Sequence, residues 1–252
     1  MPRPTHPIPS RRWASRTFAF WLCWLAGAGS GADADDFIIY SPHVNQGQSE
    51  IELRGFQTSD TRFALDGRAA SELSLAHAFT DWWKPEIYVA EYEKSPGEHA
   101  RLVGYELENT FQLTQPGQYW VDVGLLASLE LPSVKGENNR LEFGPLLEKT
   151  VGRFDDRVNL IWEKEIGAGA SRRYDFRFSY SGTYALSGPF QPGVEFYGRP
   201  ADRAWQIGPI AHGEWHVPAT TSNLEYRVGL LRGINAGAPR LTWVAQIEYE
   251  FL

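Results

Sequence analysis

The sequence predicts an all-β protein, a closed antiparallel up-and-down transmembrane β-barrel of about 12 strands. Three observations predict this fold. Segments in which apolar and polar residues alternate recur along most of the chain, which is the period of a strand with one apolar face. Many of them reach the roughly 9–11 residues that a tilted strand needs to cross a bilayer. Their number is even, as in bacterial outer-membrane barrels.

The N-terminal 34 residues have the organisation of a secretory signal peptide. Four arginines precede the apolar run FAFWLCWLAGA, and a small-residue stretch containing Ala32 and Ala34 follows it. The run is shorter than the about 20 residues that a transmembrane helix requires. We therefore expect export to the outer membrane of a Gram-negative bacterium and cleavage near Ala34. Cleavage there would remove Cys23, the only cysteine of the chain.

The rest of the chain is acidic and rich in aromatic residues. Removing residues 1–34 takes away four Arg and one Asp and leaves 20 basic and 30 acidic side chains. This charge argues against a nucleic-acid partner, because a polyphosphate repels an acidic surface. Aromatic residues make up 14% of the chain, and no long apolar run follows the signal peptide. Such a composition is typical of an outer-membrane barrel, although a soluble periplasmic β-sandwich binding protein shares several of these traits.

Twelve segments between residues 48 and 252 are the candidate strands. The first places Ile51 and Leu53 on one face and Glu50, Glu52 and Arg54 on the other. In chain order the segments are QSEIELRGF, SELSLAHAF, EIYVAEYEK, VGYELENTFQL, YWVDVGLLASLEL, RLEFGPLLE, RVNLIWEKE, RYDFRFSYSGTYAL, GVEFYG, AWQIGPIAHGEWH, LEYRVGLL and LTWVAQIEYEFL. Together they define a barrel over residues 48–252, in which closure satisfies every backbone N–H and C=O in the hydrocarbon.

Some segments are irregular. EIYVAEYEK alternates poorly, and Gly144-Pro145 and Gly208-Pro209 predict bulges or bends because proline donates no ladder hydrogen bond. The connectors form two alternating sets, and the set that begins with TSDTRFALDGRA contains the longest loop, so we expect it to face outward. The set that begins with DWWKP would face the periplasm. Tryptophans near strand ends predict interfacial girdles: Trp82, Trp83, Trp120, Trp162, Trp205, Trp215 and Trp243.

The last strand, LTWVAQIEYEFL, is expected to close the barrel against the first. Its apolar face carries Trp243, Ile247 and Phe251, and its other face carries Glu248 and Glu250. A C-terminal strand that ends in an aromatic residue resembles the signal that the barrel assembly machinery reads. The expected partners are therefore outer-membrane lipid on one face and that machinery through this strand.

The polar faces predict a charged lumen. Two interpretations stay open: an ion-paired interior that mainly holds the barrel in shape, or an acid-lined passage that favours cations or small polar solutes. The candidate lumen-lining residues are Glu50, Glu52, Arg54, Glu106, Glu108, Asp122, Glu142, Glu163, Arg177, Glu225, Arg227, Glu248 and Glu250.

Metal binding and catalysis have weaker candidates. His212, Glu214 and His216 form an H-x-E-x-H run, whose side chains would share one strand face at steps of about 6.8 Å, too far apart for easy shared chelation. No cofactor and no catalytic residue is predicted. An outer-membrane lipid-modifying hydrolase stays an alternative, although Ser74 and His77 point to opposite faces and no G-x-S-x-G is present.

Residues 35–47, DDFIIYSPHVNQG, precede the first strand. They carry several apolar residues and one histidine, His43. The segment is expected either to extend into the periplasm or to fold into the lumen as a plug.

The phrases FGPLLEKTVG, NLIWEKEIG, LEYRVGLLRGINAGAP and WVAQIEYEFL resemble a broad group of proteobacterial outer-membrane barrels. This group includes the transporters linked to meta-pathway phenol degradation. The resemblance covers most of the chain after the signal peptide. It implies a passive channel or transporter for small polar or aromatic solutes, and the alternative without catalysis is a purely structural barrel.

Overall fold

The computed structural model of the protein describes residues 37–252, so the predicted signal peptide at 1–34, with Cys23, lies outside the described residues. The described chain forms twelve antiparallel strands. The first six are β1 (Ser49–Ser59), β2 (Ala69–His77), β3 (Trp83–Lys94), β4 (Arg101–Gln112), β5 (Asp122–Pro132) and β6 (Asn139–Val151). The second six are β7 (Phe154–Ile166), β8 (Asp175–Tyr184), β9 (Gln191–Arg199), β10 (Ala204–His216), β11 (Asn223–Gly233) and β12 (Leu241–Phe251). A 3-10 turn covers Phe63–Leu65.

Each strand pairs with the next in sequence, and β12 pairs with β1, so the sheet closes into an up-and-down barrel. The closing pair runs without interruption from Ser49↔Phe251 to Ser59↔Leu241. Closure confirms the predicted fold class and excludes the β-sandwich alternative, because a sandwich keeps open sheet edges.

The barrel has two rims. The terminal rim carries the start of β1 and the end of β12, and the loop rim carries the opposite strand ends. The connectors at the terminal rim are 78–82, 113–121, 152–153, 185–190 and 217–222. The connectors at the loop rim are 60–68, 95–100, 133–138, 167–174, 200–203 and 234–240. The loop rim carries one of the two longest connectors, 60–68, and the terminal rim carries the other, 113–121, so the longest loop does not distinguish the two rims.

Side chains alternate between the outside and the interior as the period of two requires. The outer face is apolar: Leu53 is 51% exposed, Ile87 is 52% exposed and Trp243 is 58% exposed. Tryptophans lie near both rims, with Trp82 and Trp215 at the terminal rim. No helix among the described residues is long and apolar enough to cross a membrane.

The irregular segments differ from expectation in detail. β3 is a full strand with a register shift between Tyr88 and Glu91, and this extra residue accounts for its poor alternation. It begins at Trp83, within the expected connector. Pro85, which has no N–H to donate, fits there because β2 pairs with β3 only from Glu86 onward.

The two Gly-Pro sites were expected to be bulges or bends, and neither is a bulge, because no register shift occurs there. The ladder is nevertheless interrupted on one side of each: β6 pairs with β7 at Phe143 and next at Leu146, and β10 pairs with β11 at Ile207 and next at Ile210.

Candidate functional site: the lumen and its N-terminal segment

The candidate lumen residues lie on the interior side of the strands. Most are buried, for example Glu108 at 1% exposure, and four near the terminal rim are half-buried. The half-buried residues are Glu50, Glu225, Glu248 and Glu250.

Ion pairs between strands fill much of the interior. Arg54 Nε lies 2.7 Å from Glu72 Oε2, and Arg177 Nη2 lies 2.5 Å from Glu142 Oε2. Arg54 also lies over the ring of Tyr88, with its Cζ 4.6 Å from the ring centroid. Because buried charges are costly unless paired, these contacts fix the positions of the strands that carry them.

Residues 37–46, here called the N-terminal segment, run inside the barrel. The segment joins β1 at the terminal rim, where Gly47 N donates to Ala78 O at 2.8 Å. From there it extends inward, and Phe37 contacts Tyr197 of β9 and Phe56 of β1. Both partners lie in the half of the barrel nearer the loop rim. The segment therefore follows the lumen for most of its length.

Wall side chains supply the polar partners of this segment. Asn159 Oδ1 accepts from Tyr40 N at 2.7 Å, and Asn159 Nδ2 donates to Tyr40 O at 3.0 Å. One amide thus replaces the two ladder bonds that a neighbouring strand would give. Nearer the rim, Gln112 Oε1 accepts from Val44 N at 2.7 Å.

Two apolar clusters hold the segment from opposite sides. Phe37 packs into a buried cluster with Phe56, Ala70, Tyr197, Leu231 and Val244. Ile38 and Tyr40 pack against three interior residues of β5, β6 and β7, namely Leu126, Leu146 and Ile161. These wall residues are apolar on strand faces that are otherwise polar, and the segment covers them.

The segment also makes one close approach and one charged contact. A Cβ at Gly124 would lie 2.8 Å from Pro42 Cβ, so this position has no room for a side chain while the segment is in place. His43 Nε2 lies 3.1 Å from Asp122 Oδ2, and His43 Nδ1 lies 3.5 Å from Glu148 Oε1. Asp122 and Glu148 are cross-strand partners, so the imidazole bridges β5 and β6.

A cavity of about 300 Å³ remains beside the segment in the half nearer the terminal rim. Nine carboxylate side chains and three Lys or Arg side chains line it. Glu50, Glu248 and Glu250 bring three carboxylate oxygens within 4.8 Å of one another, and Lys84 Nζ lies 2.5 Å from Glu50 Oε2. The lining of this cavity is thus strongly acidic.

The H-x-E-x-H run has separate partners. His212 Nε2 lies 3.3 Å from Glu225 Oε2, and His216 Nδ1 lies 3.1 Å from Asn223 Oδ1. Within residues 37–252, only Glu50, Glu248 and Glu250 bring three possible metal-ligand atoms close to one another. His212, Glu214 and His216 do not form such a group, and a metal site at this run stays a prediction.

Ser49 and His77 form a pair that the sequence did not indicate. They are cross-strand partners on the outer phase of β1 and β2, and Ser49 Oγ lies 2.9 Å from His77 Nδ1. The ring of Phe79 packs edge-on against the imidazole at 4.7 Å. The sequence pattern places Ser74 and His77 on opposite faces, and the register brings Ser49 to His77 instead.

The residues that hold the N-terminal segment were also missed, although the sequence contains a signal for them. Phe56 continues the inward phase of Glu52 and Arg54, and Leu126 and Val244 likewise interrupt polar faces. An apolar residue in a polar phase indicates a partner inside the lumen.

The fold and the interior define the class of protein: a twelve-stranded closed barrel whose ion-paired lumen is occupied by the chain's N-terminal segment. Neither a model of a known protein family nor a curated protein sequence matches the chain. Among solved structures, an outer membrane channel from Pseudomonas putida F1 is similar with a TM-score of 0.57 and 12% identity, over 82% of this chain and 96% of that one. A NanC porin is similar with a TM-score of 0.51 and 11% identity, over 80% and 99%. These likenesses show a shared fold.

Proposed function

We propose that the protein is an outer-membrane channel for small solutes, closed by its N-terminal segment and opened when the segment leaves the lumen. One observation carries the proposal: an apolar outer face surrounds a polar interior that a short, side-chain-held segment occupies. An outer face of this kind suits lipid, and a polar interior suits hydrated solutes.

The way the segment is held supports a removable closure. Its backbone bonds to wall side chains such as Asn159 and Gln112, and none of the twelve strands within residues 37–252 pairs with it. It can therefore leave without breaking the barrel ladder, while water replaces the lost hydrogen bonds. The acidic cavity beside it favours cations and small polar solutes in the open state. Aromatic solutes, including those of phenol degradation, enter the proposal through the family resemblance.

Export and assembly complete the proposal. The chain is exported, its signal peptide is removed near Ala34, and the barrel assembly machinery inserts it through the closing strand. The uninterrupted pairing of β12 with β1 supports a role for that strand in closure.

Gly124→Ala tests the closure. The added Cβ meets Pro42 Cβ at 2.8 Å and the wall carbonyl Phe111 O at 3.0 Å, and only the contact with Pro42 is relieved when the segment leaves. Gly104→Ala is the matched control, because its Cβ meets the flexible end of Glu91, at Oε2 2.7 Å away, and no segment atom. We expect planar-bilayer recordings to show a larger, cation-preferring conductance for Gly124→Ala and unchanged conductance for Gly104→Ala. Heat-modifiable migration verifies that each barrel is folded. Folded variants without conductance would favour a purely structural barrel.

The second candidate function is a lipid-modifying hydrolase at Ser49 and His77. The Ser–His contact of 2.9 Å on the outer face is the observation that favours it. Acyl transfer additionally requires a group that orients the imidazole and donors that stabilise an oxyanion. Detergent-solubilised protein assayed on phospholipid, with Ser49→Ala as the control, tests this function. Activity that is absent or equal in both proteins removes it.

A further inference from the structure

We infer that the pocket occupied by Phe37 is a binding site for neutral aromatic molecules that carry a carbonyl group, with Phe37 acting as an internal competitor. The inference rests on the proposed channel function, because it names the ligand that would displace the segment.

The pocket combines a ring site with a hydrogen-bond donor. The Phe37 ring lies 4.8 Å from the Phe56 ring and 5.4 Å, edge-on, from the Tyr197 ring, measured between centroids. Leu231 and Val244 complete the apolar wall and are almost fully buried. Beside this wall, Arg227 Nη2 donates to Phe37 O at 2.9 Å. A ligand with a ring and a nearby carbonyl oxygen reproduces both contacts.

The charge of the pocket selects a neutral ligand. Glu195 already accepts two bonds from Arg227, Nε to Oε1 at 2.7 Å and Nη2 to Oε2 at 2.6 Å. Tyr197 Oη also donates to Glu195 Oε2 at 2.7 Å. The guanidinium is therefore neutralised, and an anionic ligand would add a second buried negative charge beside Glu195. An amide, ketone or ester fits, while a carboxylate does not.

The competition follows from the geometry. The ligand and the Phe37 side chain need the same space, so the wild-type protein binds ligand only in the fraction of molecules in which the segment is out. Its apparent dissociation constant therefore equals the intrinsic dissociation constant divided by that fraction, and is higher. A ligand that binds only this state must in turn draw the segment out, which links solute binding to opening.

The test is calorimetric titration of the detergent-folded protein with phenylacetamide. Phe37→Ala empties the ring site and loosens the segment, although the backbone carbonyl of residue 37 still accepts from Arg227 while the segment is seated. We expect this variant to bind phenylacetamide at least about tenfold more tightly than the wild type. Ile38→Ala is the matched control, since Ile38 packs on the opposite wall, and a smaller gain is expected. In the Phe37→Ala background, acetamide, which lacks the ring, and phenylacetate, which carries a charge, should bind more weakly than phenylacetamide.

A second variant keeps the test decisive. Arg227→Met with Glu195→Gln removes the donor and its counter-charge together, and in the Phe37→Ala background it should weaken phenylacetamide binding. The inference is overturned if wild type and Phe37→Ala bind phenylacetamide with equal affinity. It is also overturned if the Arg227 and Glu195 substitutions leave that affinity unchanged. If phenylacetamide binds but no variant conducts, the binding site is supported and the channel function is rejected. If Gly124→Ala conducts but Phe37→Ala does not bind phenylacetamide, the channel function is supported and the binding site is rejected.

Discussion

Replacing Asn159 with leucine should release the N-terminal segment while the barrel stays folded. Asn159 is 1% exposed, and its side-chain amide bonds both backbone groups of Tyr40, at 2.7 Å and 3.0 Å. Leucine has a similar volume and no polar atoms. The substitution therefore leaves a buried N–H and a buried C=O of the segment without these partners, although the wall keeps its packing.

The magnitude follows from those two groups. Each buried polar group left unsatisfied costs about 1–3 kcal/mol, so the seated state loses about 2–6 kcal/mol relative to the released state, in which water bonds both groups. A tenfold change in an equilibrium corresponds to about 1.4 kcal/mol. The ratio of open to closed channels should rise by a factor between about 30 and roughly 10⁴.

Single-channel recording of the open fraction measures this change. Ser179→Ala is the control, because it removes the hydroxyl that donates to the same Asn159 Oδ1 at 3.5 Å from the wall and leaves both Asn159 bonds to Tyr40 available. A folded Asn159→Leu barrel that stays as closed as the wild type would refute the assignment of these hydrogen bonds to closure.

Three further predictions concern the rims and the lumen. The Arg62 guanidinium holds the pKa of Asp60 well below its usual range, so the stabilising contact is fully present above the ordinary aspartate pKa of about 3.9 and is lost only as the pH falls through the lower folded value. Asp60→Asn should therefore make loop 60–68 more susceptible to trypsin at neutral pH, and equal digestion of variant and wild type would contradict this. The wild-type loop should stay protected from an acid-active protease at pH 4. In the Gly124→Ala background, Glu248→Gln with Glu250→Gln should move the reversal potential in a salt gradient toward weaker cation preference, and an unchanged potential would exclude these carboxylates from selectivity. Phe251→Ser should reduce the heat-modifiable fraction in the outer membrane more than Leu252→Ser does; equal effects would count against recognition through Phe251.

The barrel could be predicted from the sequence because a strand pattern is local. Alternation assigns each side chain of a strand to one of two faces without knowledge of its neighbours, and the predicted interior residues, such as Glu106 and Arg177, follow from phase alone. The failures were also local in origin. A single extra residue in β3 disguised its alternation, and Pro85 was placed in a connector because the staggered end of β2 cannot be read from the sequence of β3.

Contacts between side chains of different strands could not be predicted, because they depend on the register in which the strands pair. Ser49 meets His77 only because β1 and β2 pair in one register. The sequence by itself determined the strands, their two faces and the acidic character of the interior, since these depend on period and composition. Only the tertiary structure decided that the N-terminal segment lies inside, with Tyr40 on Asn159 at a separation of 119 residues and Phe37 on Arg227 at 190. The physical reason is that such contacts require a closed wall, whose polar and apolar side chains converge on the segment from strands far apart in the chain.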